Sequence, residues 1–260
     1  MALVTSSPDA AEELAELLED PGAALDRALL LFSECLQQRP GVADSGQLML
    51  EEIATHIREA NADTEVSVEA LVNGLFVNFG FAGDVEDYHG EENSFLDRVL
   101  ERRIGMPITL SALAVAVGTR LGLDLSMIGL PGHVVVGGRS PDDTFIDAFS
   151  GSLVDKVGLA QRMRSIFGQD VSLSAERLIP MTNTAVITRV SNNLMRTWAD
   201  EPAKFDRLLE LRASLPLERA DQRMLIEVAE ARARFDIAAQ VRAAIDPTDP
   251  KIAQMWARLN

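Results

Sequence analysis

The sequence predicts an α+β fold that is mostly helical, and three observations support this class. Apolar residues recur at spacings of three and four near both ends of the chain, which is typical of amphipathic helices. Between them, the stretch GMPITLSALAVAVGTRLGL at 105–123 is apolar nearly all round, which indicates a buried helix. Short β-branched and aromatic runs then follow at 125–130, 133–138 and 144–149, separated by turn residues as in an antiparallel meander.

Helical periodicity covers most of the chain before the meander. We predict helices, in chain order, from residue 7 and over about 22–38, 45–60, 66–79, 95–103 and 107–122. The segment 66–79 has a strand-like composition, but Leu71, Leu75 and Phe79 step by four and favour a helix. Pro107 suits the first turn of the buried helix, and Gly122 suits its end.

The C-terminal part returns to helices joined by short loops. We predict these helices over 184–198, 202–213, 217–232, 235–244 and 250–258. Loops this short require antiparallel neighbours, and a rhythm of ~30 residues for each helix pair resembles tetratricopeptide repeats with a degenerate signature. We therefore predict two domains: 1–180, which combines a helical N-terminal region with a core at about 71–180, and the helical region 181–260.

Composition and charge exclude several functional classes. The formal net charge of −16, from 40 acidic and 24 basic residues, argues against nucleic-acid and anionic-membrane binding and favours basic partners. The N-terminus lacks the basic start and apolar run of a signal peptide, and one cysteine cannot form an internal disulfide. No apolar stretch approaches the ~20 residues that span a bilayer. We expect a soluble, cytoplasmic protein, and the sequence does not indicate its oligomeric state.

The hairpin within PGHVVVGGRSPDDTFIDAFSG carries two polar residues of interest. A five-residue loop over 138–142 would pair Gly137 with Asp143, and His133 would then face Asp147. Directly opposite residues have Cβ atoms ~4.5–5.5 Å apart, so an imidazole–carboxylate contact is predicted. The pair is either an ion pair at a sheet edge or two-thirds of a nucleophilic triad.

Linked motifs follow one another in order over about residues 71–151. They are Phe81, Gly83 and Tyr88; Asn93, Ser94, Leu96, Val99 and Leu100; Arg103, Gly105, Pro107, Ile108, Leu110 and Ser111; Leu121 and Gly122; Pro131, Gly132 and His133; and Ile146, Asp147, Phe149 and Gly151. Together they resemble the SirB-type branch of the transglutaminase-like superfamily. That branch typically has a helical N-terminal region and tetratricopeptide-like helices after the core.

The resemblance implies a papain-like core, in which a cysteine begins a buried helix while histidine and aspartate lie on adjacent strands. His133 and Asp147 match the histidine and aspartate positions, but the cysteine is absent. Counting back from Leu121 places its position near Pro107, which has no nucleophilic side chain. Cys35 lies on an apolar helical stripe and is expected to be a small buried hydrophobe.

The resemblance therefore favours a noncatalytic relative that binds a protein or peptide, with a regulatory role in the cytoplasm. His133 and Asp147 would form its groove, and Tyr88, Asn93 and Thr109 are candidate groove-binding residues. Asn93 is also explained as part of a cap for the helix that begins near Phe95.

The alternative is an amidase, peptidase or acyltransferase of the same superfamily. It would use Ser111 or Thr109 as nucleophile, His133 as base and Asp147 to orient the imidazole. We expect no cofactor. We also expect no metal site, because the chain has three histidines and no cysteine cluster, and the acids of the loop 84–92 are predicted to be solvated.

Overall fold

The computed structural model describes residues 8–138, 144–168, 173 and 178–257, and it confirms a mostly helical α+β fold. The helices are α1 (Pro8–Glu19), α2 (Leu25–Gln37), α3 (Val42–Ala60), α4 (Val68–Val72), α5 (Leu96–Arg102), α6 (Pro107–Arg120), α7 (Lys156–Phe167), α8 (Asn183–Thr197), α9 (Pro202–Ser214), α10 (Arg219–Ala231), α11 (Phe235–Ile245) and α12 (Lys251–Ala257). The strands are β1 (Ala82–Gly83), β2 (Ile104–Gly105), β3 (Leu125–Leu130), β4 (His133–Gly138), β5 (Thr144–Asp147) and β6 (Ser152–Asp155).

The chain divides into two compact units. The first unit contains the described residues up to 23, residues 34–40 and the chain from Asn183 onward, and the second contains 24–33 and 41–182. The sequence grouped residues 1–180 in one region, whereas α1 groups with the C-terminal helices. Within the first unit, the Asn183 amide donates to the Ala23 carbonyl at 2.9 Å, and the Thr184 hydroxyl donates to the Leu18 carbonyl at 3.4 Å.

Helix α6 is the buried helix that the sequence predicted. Pro107 occupies its first turn, where the missing N–H costs nothing because that group has no intrahelical partner in any helix. Leu110, Leu113 and Val117 are fully buried along its length. The chain leaves the helix through Gly122, whose φ of 82° favours glycine.

The main sheet has four antiparallel strands in the order β3-β4-β5-β6. The three predicted strands are present, and the third ends at Asp147 instead of 149. The sequence missed β6, helix α7 and the short parallel pair β1 and β2. Strand β6 was not predicted because its sequence, SLVD, is short and directly follows a turn.

The two faces of the main sheet pack against different helices. On one face, a Cβ added to Gly118 of α6 would meet the Leu125 side chain at 2.7 Å, so α6 lies close against β3. The other face forms an apolar cluster with α7. This cluster joins Ile128, Leu130, Val135 and Phe145 of the strands to Leu159 and Met163 of α7, together with Leu173.

The segment 66–79 is helical, as its four-residue spacing predicted. It forms α4 and continues as a π-helical turn over Asn73–Asn78. A Cβ at Gly74 would lie 2.6 Å from the Ile57 side chain, so α3 packs directly on the start of this turn.

The five C-terminal helices agree with the predicted spans to within about two residues, and residue 258 lies outside the described part of the chain. Their buried apolar residues include Val190, Leu194, Leu208, Leu225 and Ala238. Resemblance to tetratricopeptide repeats stays a prediction. Across the described helices, none combines the length and hydropathy needed to span a bilayer.

The contact between α2 and α3 gives a first prediction. A Cβ on Gly46 would lie 2.4 Å from the Leu30 side chain, which is fully buried. We expect Gly46→Val to lower the free energy of unfolding by about 2–3 kcal/mol through overpacking. Urea unfolding measures this change, and the exposed Gly22→Ala is the control, with an expected change within ~0.5 kcal/mol. Equal effects of the two substitutions would contradict the close approach.

Candidate functional site

His133 and Asp147 lie at strand ends within the second unit. His133 is the first residue of β4 and follows a turn in which Gly132 has a φ of 57°. Asp147 is the last residue of β5. The imidazole Nε2 lies 3.3 Å from the Asp147 Oδ2, and the residues are 6% and 0% exposed, respectively. The two side chains therefore form a buried imidazole–carboxylate pair.

The predicted register of this hairpin is wrong: each residue of β4 pairs with a residue two positions later in β5 than expected. Val136 pairs with Ile146 and Gly137 pairs with Phe145, so His133 is not directly opposite Asp147. Much of the predicted loop, at 139–142, lies outside the described residues. Because side chains alternate with a period of two, a shift by an even number keeps both residues on one face of the sheet. They meet as diagonal neighbours instead of direct partners.

The Asp147 carboxylate has other partners besides the imidazole. Its Oδ1 accepts from the backbone N–H groups of Phe149 and Ser150, at 3.2 and 3.3 Å, as the turn after β5 folds back. Its Oδ2 also forms an ion pair with Arg162 of α7. The same guanidinium donates to the Ser150 hydroxyl at 2.9 Å. Asp147 thus connects the imidazole, the turn and α7.

Strand alternation places this pair on the α7 face of the sheet. Asp147 lies on the same face as Phe145, and His133 on the same face as Val135, and both of these apolar residues pack against α7. The contact with Arg162 agrees with this placement. Helix α6 packs against the opposite face of the sheet at β3.

The Thr109 hydroxyl is used to begin α6. Its single O–H donates to the backbone carbonyl of Asn93 at 2.7 Å, with the Met106 carbonyl also within reach at 3.1 Å, and its oxygen accepts from the Met106 N–H at 3.2 Å. Thr109 is fully buried. These contacts stabilise the helix terminus and occupy the hydroxyl, so the structure places Thr109 in a capping position.

Ser111 lies one turn further inside α6. It is fully buried, and its Oγ has no hydrogen-bond partner, so it neither bonds to His133 nor back-bonds to the carbonyl four residues before it. A serine acts as a nucleophile only when an aligned base removes its proton. In this structure neither candidate hydroxyl is bonded to the imidazole.

Cys35 belongs to the first unit and is 4% exposed. Burial, with a smaller contribution from the neighbouring Glu34 carboxylate, raises the pKa of Cys35 to about 12. A thiol with this pKa is almost entirely protonated at neutral pH, and the thiol is a poor nucleophile. The expectation of a buried, inert cysteine agrees with this environment.

A hydrogen-bonded loop over 84–92 stands beside the turn after β5. Asp84 accepts from the backbone N–H groups of Glu86 and Asp87 at 3.1 and 2.8 Å, and from the buried Asn93 amide at 2.9 Å. The Arg102 guanidinium lies 3.7 Å from the same carboxylate, and it donates to the side-chain oxygen of Asn93 at 3.0 Å. These contacts, with the Asp87 N–H the strongest, hold the pKa of Asp84 below its usual value.

Tyr88 lies on this loop and contacts Phe149, which belongs to the turn that follows Asp147. Its ring centroid is 5.7 Å from that of Phe149 in an edge-on arrangement, and Tyr88 is 37% exposed. A Cβ on Gly83 would lie 2.4 Å from the Phe149 ring, so only glycine permits this approach. Tyr88 therefore stays at the surface, whereas Asn93 and Thr109 are buried beneath the loop.

Among the residues that the structure describes, no group of three or more histidine, cysteine, aspartate and glutamate side chains could hold a metal ion. The acids of the loop 84–92 therefore do not converge on a common point. Two of them, Asp84 and Glu92, form ion pairs with Arg102 instead.

Comparisons with known proteins agree with the fold. A family profile described as the transglutaminase-like superfamily matches residues 44–192, which is more than half of the chain. The chain belongs to the transglutaminase-like superfamily.

Several bacterial and animal proteins are similar to the chain. A UPF0162 protein of Xylella fastidiosa strain 9a5c is 34% identical over 164 residues, covering 58% of this chain and 58% of the relative. A UPF0162 protein of Vibrio cholerae is 28% identical, covering 53% and 54%, respectively. Mouse F-box only protein 21 is 25% identical, covering 54% of this chain and 23% of that protein. The chain spans little more than half the length of the bacterial relatives, and no solved structure matches.

Sequence reasoning missed Arg162 and Phe149 as parts of the site. A signal for α7 was present: Asp155 is a helix cap whose carboxylate accepts from the Gly158 N–H at 2.7 Å, and Leu159 and Met163 then step by four. On this reading Arg162 would fall beside the apolar face of α7. No local pattern indicated its contact with a carboxylate on a strand.

The shared carboxylate of Asp147 gives a second prediction. We expect Asp147→Ala to lower the free energy of unfolding by about 2–3 kcal/mol, because it leaves Arg162 without its counterion and two N–H groups without their acceptor. The expected loss is smaller than that for breaking a fully buried ion pair, because the Arg162 side chain is 37% exposed. Asp155→Ala removes only a helix cap and should cost about 1 kcal/mol. Urea unfolding compares the two, and a smaller loss for Asp147→Ala would contradict the assigned contacts.

The low pKa of Asp84 gives a prediction about pH. Its carboxylate stabilises the fold fully above its unfolded pKa of ~3.9, and this contribution is lost as the pH falls through the lower folded pKa. The stability difference between the wild type and Asp84→Asn should therefore be constant from pH 7 to 5 and shrink in more acidic solution. Urea midpoints across this range measure the difference. A stability difference for Asp84→Asn that widens on acidification would contradict the assignment.

Proposed function

We propose that this protein is a noncatalytic member of the transglutaminase-like superfamily that binds a protein or peptide. The observation that carries the proposal is that neither Ser111 nor Thr109 is hydrogen-bonded to His133. Cys35 is buried, and its pKa is raised to about 12. An acyl-transfer enzyme of this kind needs a nucleophile within reach of its base.

The charge environment of the imidazole supports the same conclusion. In a nucleophilic triad, the carboxylate stabilises the imidazolium that forms when the base takes a proton. Here Asp147 already has the positive charge of Arg162 beside it and two N–H donors on its other oxygen. Its charge is therefore largely compensated, which weakens its effect on His133.

The surface beside the pair suits a binding role. Val85 is 81% exposed and Tyr88 is 37% exposed, although both belong to a loop that Asp84 and Asn93 hold in one conformation. A surface that is ordered before binding loses less entropy when a partner arrives. Tyrosine is also frequent at the centres of interfaces.

The charge of this surface indicates what the partner carries. The loop 84–92 contributes surface acidic side chains at 86, 87, 91 and 92, of which Glu92 also pairs with Arg102, in a chain of formal net charge −16. A peptide with basic residues around an apolar or aromatic anchor is complementary to it. We therefore propose a basic, partly apolar peptide segment as the ligand.

The narrower placement within the superfamily is also a proposal. The ordered motifs over residues 71–151 support the SirB-type branch, and the five short C-terminal helices support a tetratricopeptide-like region. Stacked helix pairs commonly provide binding surfaces, which is consistent with an adaptor or regulatory role in the cytoplasm.

The binding proposal is tested with the full chain and a library of random peptides. We expect selected peptides to be enriched in lysine or arginine next to an apolar residue. Tyr88→Ala should weaken their binding about tenfold or more, because it removes an exposed aromatic anchor. Leu48→Ala is the matched control, since Leu48 is 67% exposed on α3 and lies outside the loop. Equal affinity of the wild type and Tyr88→Ala, or selection of acidic peptides, would contradict the proposal.

The hydrolase alternative is tested with a serine-directed fluorophosphonate. We expect no labelling of the native wild type, because Ser111 is fully buried and not bonded to a base. Labelling that disappears in both Ser111→Ala and His133→Ala would identify an enzyme instead.

A further inference from the structure

Three aromatic rings lie together at the surface of the second unit, and we call them the aromatic cluster. The Tyr88 ring centroid is 5.0 Å from that of His89 and 5.7 Å from that of Phe149, at interplanar angles of 86° and 68°, respectively. Tyr88 and His89 are exposed, and Phe149 is partly exposed. Because both neighbours contact the Tyr88 ring edge-on, they restrict its movement while 37% of the residue stays open to solvent.

The Asp87 carboxylate lies beside this cluster. A Cβ on Gly90 would lie 2.5 Å from the Asp87 Oδ2, and the Gly90 N–H donates to the Asp87 carbonyl at 2.9 Å. The carboxylate therefore folds over the turn 87–90, which carries two of the three rings. Glu86 precedes it directly, and both acidic residues are exposed. Aromatic rings and negative charge are thus combined within one turn.

This combination favours an arginine side chain over a lysine side chain. The guanidinium is planar and weakly hydrated, so it can stack on a ring face and still present N–H bonds to a carboxylate in a bidentate manner. The ammonium of lysine is compact and strongly hydrated, and it has no plane to stack. The chain contains the same kind of contact internally, since the Arg232 guanidinium carbon lies 3.9 Å from the Phe205 ring centroid.

We propose that the aromatic cluster binds an arginine side chain of the partner peptide, with the guanidinium against the rings and its N–H groups toward Asp87. The contact forms on an open surface and needs no enclosed cavity. The formal net charge of −16 favours the approach of a cationic segment. This inference rests on the proposed peptide binding, and it narrows the required basic residue to arginine.

The test uses the NMR signals of Tyr88, which is the only tyrosine of the chain, so isotopically labelled tyrosine reports on this residue alone. The probes are N-acetylarginine amide, N-acetyllysine amide and N-acetylcitrulline amide, and citrulline has nearly the shape of arginine without its charge. We expect the arginine probe to shift the ring signals saturably, with a Kd about fivefold lower than that of the lysine probe. The citrulline probe should give no saturable shift. Equal responses to arginine and citrulline, or tighter binding of lysine, would overturn the inference.

Asp87→Asn removes the carboxylate and keeps the backbone contacts of the turn. It should raise the Kd of the arginine probe about threefold, because an exposed ion pair is lost. Glu52→Gln is the matched control, since Glu52 is exposed on α3 and lies outside the loop 84–92, and it should leave that Kd unchanged. Equal Kd values for Asp87→Asn and the wild type would contradict the assigned carboxylate. If Asp87→Asn does not fold, the three probes on the wild type decide.

Selection from the peptide library separates this inference from the proposed function. Retained peptides that carry arginine at one fixed position support both. Retained peptides in which lysine and arginine are equally frequent at that position would overturn the arginine anchor and leave peptide binding in place. If the chain retains no peptide, peptide binding is contradicted, and this inference with it.

Discussion

The candidate site depends on one carboxylate, that of Asp147, which is completely buried and contacts groups from three parts of the fold. Its two oxygens contact the imidazole of His133, the guanidinium of Arg162 and two backbone N–H groups of the turn after β5. A buried carboxylate needs such partners, because taking its charge out of water is costly. The same contacts fix the imidazole, join α7 to the sheet and shape the turn that carries Phe149.

The start of α6 has a different chemistry from that of a catalytic helix. Pro107 provides no donor or nucleophile in the first turn, and the Thr109 hydroxyl is occupied by the Asn93 and Met106 carbonyls. These contacts tie α6 to the loop 84–92, whose exposed Tyr88 packs on Phe149. These contacts thus hold an ordered surface in place, which supports the binding role that we propose.

Much of the fold could be predicted from periodicity, because both the buried helix α6 and the C-terminal helices have strong apolar patterns. The sequence predicted that His133 and Asp147 lie close together because side chains alternate along the strands of a hairpin. A shift of the register by an even number of residues leaves both side chains on the same face, so this prediction did not depend on the correct register. The register itself could not be predicted, because residues 138–143 offer more than one position for a five-residue loop. The role of Arg162 could not be predicted, because its partner lies on a strand. An ion pair between elements that are distant in sequence leaves no local sequence pattern.

A double-mutant cycle between Asp147 and Arg162 tests the central claim most directly, namely that this carboxylate is engaged by α7 instead of being reserved for the imidazole. Urea unfolding of the wild type, Asp147→Asn, Arg162→Met and the double variant gives the coupling free energy. We expect a favourable coupling of about 1–2 kcal/mol, as for neighbouring residues that share a contact. Additivity within ~0.3 kcal/mol would show that the two side chains do not interact, and would contradict the account.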